Sequence, residues 1–134
     1  MCNARRAMLK MKWFPLFLLP VLLVSCVSSS ITNITATHQP RNATGLYPIE
    51  YEWSTSQQTI RPETITPYVV VGFDTYKMRQ TLKMTNRWEV LIPVPADKNS
   101  VNYYFKVDYD YNRFGKPGKD SLRSPGFKLY VTEK

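Results

Sequence analysis

An all-β sandwich is the fold class this chain predicts, and three observations carry the prediction. Beyond Gly45, short segments alternate apolar and polar residues with period two, as strands do when one face is buried. Val, Ile, Thr, Tyr and Trp are frequent inside these segments, while Pro, Gly, Asn and Asp stand between them. No stretch after Gly45 carries a helical period, and the 10 prolines of the chain oppose one.

Taken in order, the expected strands begin with Tyr47 to Ser54, where Tyr47, Ile49, Tyr51 and Trp53 share a face opposite Glu50 and Glu52. Tyr68 to Asp74 holds the continuous run Val69-Val70-Val71, the pattern of a strand covered on both faces. Tyr76 to Met84 alternates most regularly, with Tyr76, Met78, Leu82 and Met84 against Lys77, Arg79, Thr81 and Lys83. Trp88 to Val94, Asn102 to Tyr109 and Gly126 to Thr132 bring the count to about six or seven. Trp88, Trp53 and Tyr51 read as core, because large rings supply much of the burial in a small domain.

The central part of this pattern resembles the immunoglobulin-like early-set sandwich of starch- and glycogen-binding modules. The residues that carry the likeness are Val69-Val70-Val71-Gly72-Phe73-Asp74-Thr75-Tyr76, Leu82 and Met84, Arg87 to Pro95, and Tyr103 to Asp108. It spans Pro67 to Asp110, about a third of the chain. In that family a tryptophan on which sugar stacks follows the Phe-Asp pair, and here Tyr76 stands in its place. The resemblance implies an immunoglobulin-like fold and, as the alternative function, carbohydrate binding.

The first 25 residues have the parts of a secretory signal: Arg5, Arg6, Lys10 and Lys12, an apolar block from Trp13 to Val24, and the small Ser25. The block is about a dozen residues and is interrupted by Pro15 and Pro20, too short for the roughly 20 that span a bilayer. Leu23-Val24-Ser25-Cys26 resembles the bacterial lipobox, which implies cleavage before Cys26 and acylation of that residue by a thioether-linked diacylglycerol and an N-linked acyl chain. Cys2 falls in the removed segment, so Cys26 is left with no intramolecular partner, and an unmodified thiol is a liability in an oxidising compartment. In Gram-negative lipoproteins an Asp after the cysteine retains the protein at the inner membrane. Val27 occupies that position and implies the outer membrane. An ordinary signal peptide is the competing reading, since Asn33-Ile34-Thr35 and Asn42-Ala43-Thr44 are glycosylation sequons in a eukaryotic secreted protein.

Val27 to Gly45, rich in Ser, Thr and Asn, reads as a flexible tether of about 60 Å when stretched. The expected organisation is therefore a signal peptide over 1–25, a lipidated cysteine and tether over 26–45, and one sandwich over 46–134. Of 18 Lys and Arg, four precede Cys26, which leaves 14 against 10 acids and lowers the net charge from +8 to +4. The remaining cations are scattered along strands, so no nucleic-acid partner is expected.

Candidate ligand-binding residues are Tyr76, Tyr104, Tyr109 and Tyr111. Tyr103 and Tyr104 must face opposite ways, and Tyr109 and Tyr111 share a face opposite Asp108 and Asp110. No catalytic residue is assigned. His38 lies in the expected tether, no nucleophile motif occurs, and the pairs Glu50/Glu52 and Asp108/Asp110 sit on open strands instead of in a cleft. Asp108, Asp110 and Asn112 do not complete the oxygen set of a calcium loop, so no metal or cofactor is expected. Gly115 to Asp120 reads as a basic turn. The functional expectation is a lipid-anchored, non-catalytic binding or structural module of the cell envelope. Its partners would be the membrane, through Cys26, and an envelope protein or glycan. A secreted enzyme is the outsider.

Overall fold

The structure, a computed structural model, describes residues 26–133. Residues 1–25, which the sequence reads as a signal, including Leu23, Val24 and Ser25 of the lipobox-like run, lie outside the described residues. Ten strands occur in chain order: β1 Ser29–Asn33, β2 His38–Pro40, β3 Leu46–Thr55, β4 Thr66–Val71, β5 Asp74–Lys77, β6 Arg79–Gln80, β7 Arg87–Pro93, β8 Ser100–Tyr111, β9 Gly118–Arg123 and β10 Phe127–Thr132. One sheet has the order β1-β3-β7-β6. The other runs β2-β10-β8-β4-β5, with β9 also paired to β8.

Every pairing is antiparallel except β2 with β10, which is parallel. Naming β1, β3, β7 and β6 as A, B, E and D makes the other sheet A′-G-F-C-C′, with β9 and β10 together as G. That is the immunoglobulin order, including the C′ strand that variable-type domains add to the GFC sheet. The fold class read from the alternation is therefore observed.

The core lies between the sheets and is mostly aromatic. Tyr47, Ile49, Tyr51 and Trp53 of β3 face Tyr103, Phe105, Val107 and Tyr109 of β8, and all eight are buried. Tyr51 meets Phe105 with ring centroids 4.8 Å apart, and Trp53 meets Tyr109 at 5.3 Å. Phe127 closes on Phe105 at 5.8 Å and on Tyr103 at 5.9 Å. In antibody domains the B–F position holds a disulfide with a tryptophan from strand C packed on it. Here ring contacts between Tyr51 and Phe105 bridge the sheets, and β4 contributes the fully buried Val69.

Tyr51 carries a penalty inside this core, because its hydroxyl is buried with no hydrogen-bond partner. Tyr51→Phe is accordingly expected to hold stability constant or raise it by up to about 1 kcal/mol at neutral pH. Burial also pushes the Tyr51 phenol well above its ordinary value of 10.0. The unfolded chain then loses the phenolic proton first, so stability falls as pH rises past about 10, by roughly 1.4 kcal/mol per unit for this group. Urea midpoints of wild type and Tyr51→Phe at neutral and strongly alkaline pH check this. The variant should lose less stability in alkali, and equal losses would contradict the assignment.

Three sequence expectations are corrected. The segment read as a tether holds β1 and β2, one in each sheet, so the sandwich begins at Ser29 instead of residue 46. Polar bonding compensates for its few apolar residues. The Thr35 hydroxyl donates to the Glu50 carbonyl and accepts from the Glu50 N–H, both at 2.9 Å, continuing the edge where β1 ends. Buried Gln39 donates to the carbonyls of Pro48 and Ala36 at 2.9 and 3.2 Å, tying β2 to β3. Arg41 binds Glu133 at 2.6 Å and donates to the Lys98 carbonyl at 3.0 Å. Of the expected tether only Cys26, Val27 and Ser28 precede β1, a reach of about 10 Å.

The regular alternation of Tyr76 to Met84 is likewise not one strand. The chain leaves the second sheet after Lys77, buries Met78 at the crossing and enters the first sheet at Arg79. Leu82 and Met84 then fall in the exposed β6–β7 connection. Period two persists through such a crossing, so the pattern alone does not reveal it. Finally, the basic turn opens into β9. Gly118 sits directly under the Tyr111 ring, where an added Cβ would meet ring atoms at 2.2 Å.

Candidate functional site

The tyrosines picked from the sequence divide by face. β8 places 103, 105, 107 and 109 inward, so 104, 106, 108 and 110 look outward. Tyr104 alone of the four candidates stands on the outer face. Tyr109 is 5% exposed and packed in the core, so it is withdrawn as a ligand residue. Its hydroxyl points to Asp120 at 3.4 Å, and burial followed by the Asp120 charge raises its pKa. Tyr76 pairs with core Val69 across β4–β5 and packs against the core, and Tyr111 does the same over Gly118. Tyr76, the residue that replaces the sugar-stacking tryptophan, thus turns away from solvent. Phe73 beside it is fully exposed at the tip of the β4–β5 hairpin, where Gly72 takes a φ of 61° to make the two-residue turn.

Around Tyr104 the register assembles a surface from four strands. Tyr68 of β4 and Arg123 of β9 flank Lys106 of β8, Val70 lies beside Tyr104, and Ser121 lies beside Asp108. Thr75 of β5 pairs with Val70 and completes the outer side. Together these residues line a shallow hollow on the sheet. The Arg123 guanidinium lies 3.9 Å from the centre of the Tyr104 ring, a cation–π contact that holds both side chains against the sheet. Lys106 binds one Asp108 oxygen at 3.1 Å, while the other Asp108 oxygen is buried without a partner.

The surface continues towards the β2 edge, where Tyr130 stacks on His38 with centroids 5.0 Å apart and Lys128 lies 5.4 Å from the same ring. His38, assigned to a tether from the sequence, is therefore part of a sheet edge. The arrangement combines ring faces and fixed cations, which suits non-covalent recognition of a polar partner. Strand alternation sets Tyr104, Lys106 and Asp108 on one face, of which the sequence reading picked out Tyr104 alone as a ligand residue. Arg123 was missed because its position depends on the β8–β9 register, and nothing local to Lys119-Asp120-Ser121-Leu122-Arg123 predicts that pairing.

One member of each acidic pair is drawn into surface bonding: Glu52 faces Arg87 at 3.6 Å and Asp108 binds Lys106 at 3.1 Å. Among the described residues, no group of three or more His, Cys, Asp or Glu side chains is placed to hold a metal ion. The Asn33 amide nitrogen, the attachment point of the first sequon, donates to the Tyr103 hydroxyl at 2.8 Å. Cys26 is exposed with a free thiol.

No protein-family model matches the chain, and no curated protein matches it either. Among solved structures, murine CRIg is similar over 78% of this chain and 98% of that chain, at 10% sequence identity and a TM-score of 0.40.

Proposed function

We propose that this chain is a bacterial lipoprotein, held in the cell envelope by acyl chains on Cys26, whose immunoglobulin-like sandwich is a non-catalytic binding module. The observation that carries the reading is the position of Cys26. This exposed, unbonded cysteine follows a signal-like segment and precedes the first strand by only two residues. Two or three acyl chains, at about 0.8 kcal/mol per buried methylene, anchor durably where one does not. With Val27 after the cysteine, the outer membrane is the proposed location.

The outer face of the second sheet, centred on Tyr104, Arg123, Lys106 and Tyr68, is the proposed recognition surface. A protein partner presenting acidic groups fits the cations of Arg123 and Lys106 on this face. Carbohydrate binding is the second reading, favoured by the rings of Tyr68 and Tyr104 on one face, although Arg123 covers the Tyr104 ring. A photo-cross-linking residue at position 104, compared with one at Leu91 on the opposite sheet, separates the readings in intact cells. A single protein captured from position 104 and not from position 91 is the expected result. Equal capture from both positions would remove this face from the account, and a polysaccharide gel shift abolished by Tyr68→Ala would replace the protein partner with a glycan.

A further inference from the structure

β3 and β8 run the same way in facing sheets, because Tyr51 meets Phe105 and, further along both strands, Trp53 meets Tyr109. The end of β3, the start of β7 and the end of β8 therefore share one end of the sandwich. The N-terminal residues join them there. The Ser28 N–H donates to the Ser56 hydroxyl and the Ser56 N–H donates to the Ser28 carbonyl, both at 2.9 Å. Cys26 thus leaves the domain beside the β3–β4, β6–β7 and β8–β9 connections. In immunoglobulin variable domains this end carries the antigen-binding B–C and F–G loops.

Four apolar side chains at this end stand in solvent: Val27 is 62% exposed, Leu82 85%, Met84 41%, and Phe114 is fully exposed. Val27 belongs to the N-terminal segment, Leu82 and Met84 to the β6–β7 connection and Phe114 to the β8–β9 connection, so they stand on three separate tips. The Arg113 guanidinium donates to the Lys116 carbonyl at 3.1 Å, and Gly115 takes a φ of 88°, which curls the β8–β9 tip around Phe114. Lys83, Arg113 and Lys116 are exposed in the same tips. Glu63 is the one acid in these connections, and Arg61 binds it at 3.2 Å. The opposite end also exposes an aromatic ring, Phe73, but has the reverse charge setting. Asp74 and Asp97 are there beside Lys98, and Glu133 occupies Arg41 at 2.6 Å, so three acids face two cations.

We infer that the Cys26 end of the sandwich is a lipid-contact surface, with Phe114, Leu82 and Val27 entering the headgroup boundary of an anionic bilayer while Lys83, Arg113 and Lys116 meet its phosphates. Separate apolar tips, two of them carrying cations in the same connection, match a flat surface that is anionic outside and apolar beneath. A folded protein partner would need a continuous patch instead. The inference goes beyond anchoring because it needs no acyl chain. It adds an orientation: the sandwich stands on this end, and the Tyr104 face is presented sideways.

Residues 26–133 contain both sheets and the whole described core, so the Cys26→Ser form of residues 26–134 serves as an acyl-free probe. Co-sedimentation with phosphatidylcholine vesicles is measured with and without phosphatidylglycerol. Salt-sensitive binding to the anionic vesicles alone is expected. Each of Lys83→Gln, Arg113→Gln and Lys116→Gln should weaken it about fivefold. Phe114→Ser with Leu82→Ser should weaken it about tenfold or more. Phe73→Ser should leave it unchanged, and circular dichroism should show every variant folded, since all these positions are exposed. Absence of binding to anionic vesicles, or equal weakening by Phe73→Ser and Phe114→Ser, would overturn the inference. Because the probe is never acylated, neither result depends on whether the native chain carries lipid.

Discussion

Phe105→Ala is expected to destabilise the domain by about 3–5 kcal/mol, the range for removing a large buried ring from a core that cannot close over the gap. Phe105 is fully buried and contacts Tyr51, Tyr103 and Phe127, so its loss opens space from the middle of one sheet to the other. Small domains have about 5–15 kcal/mol of stability in total, which leaves this variant close to unfolding at ambient temperature. Tyr104→Ala, one residue away and facing outward, removes only the Arg123 contact and should cost about 1 kcal/mol or less. Urea denaturation of both variants checks the contrast. A Phe105→Ala cost as small as that of Tyr104→Ala would contradict a core bridged at this ring.

Cys26→Ser is expected to have the largest effect on location. The thiol of Cys26 is the proposed attachment point of the diacylglycerol, and a serine hydroxyl does not replace it as the nucleophile for thioether formation. Growth with labelled palmitate should mark the wild-type protein and leave Cys26→Ser unlabelled. The variant should also fail to partition into the detergent-rich phase after cloud-point separation of the mature domain. Label retained by Cys26→Ser would place the acyl chain elsewhere, and a wild-type protein without label would remove lipidation from the account.

Strands buried on one side were legible in the sequence. Tyr47 to Ser54, Trp88 to Val94 and Asn102 to Tyr109 were found within two residues of β3, β7 and β8, because their inward residues form rows of large apolar groups. Edge strands were not. β1, β2 and β9 turn Ile31, Gln39 and Leu122 inward and otherwise carry polar residues, so their order comes from ladder bonds to neighbours distant in sequence. The same distinction governs the candidate site. The facing of Tyr104 follows from alternation along one strand, whereas the inward turn of Tyr76 follows only from its pairing with Val69. Tyr109 and Tyr111 were correctly placed on a common face, but which face was buried depended on the opposite sheet and Trp53.

The loss of the tether changes the proposed arrangement at the membrane. A segment able to lift the domain tens of ångströms from the lipid has become three residues beside the loop tips of Leu82 and Phe114. An anchored domain would then rest on its N-terminal end, with β2 and β10 securing the rest of the former tether against the sheet. Anchoring at Cys26 is the claim on which this arrangement stands. Mass spectrometry of the N-terminal peptide of the native protein tests it most directly. The account predicts a chain beginning at Cys26 with a diacylglyceryl thioether and an amide-linked acyl group, and an unmodified Cys26 or a mature chain beginning elsewhere would contradict it.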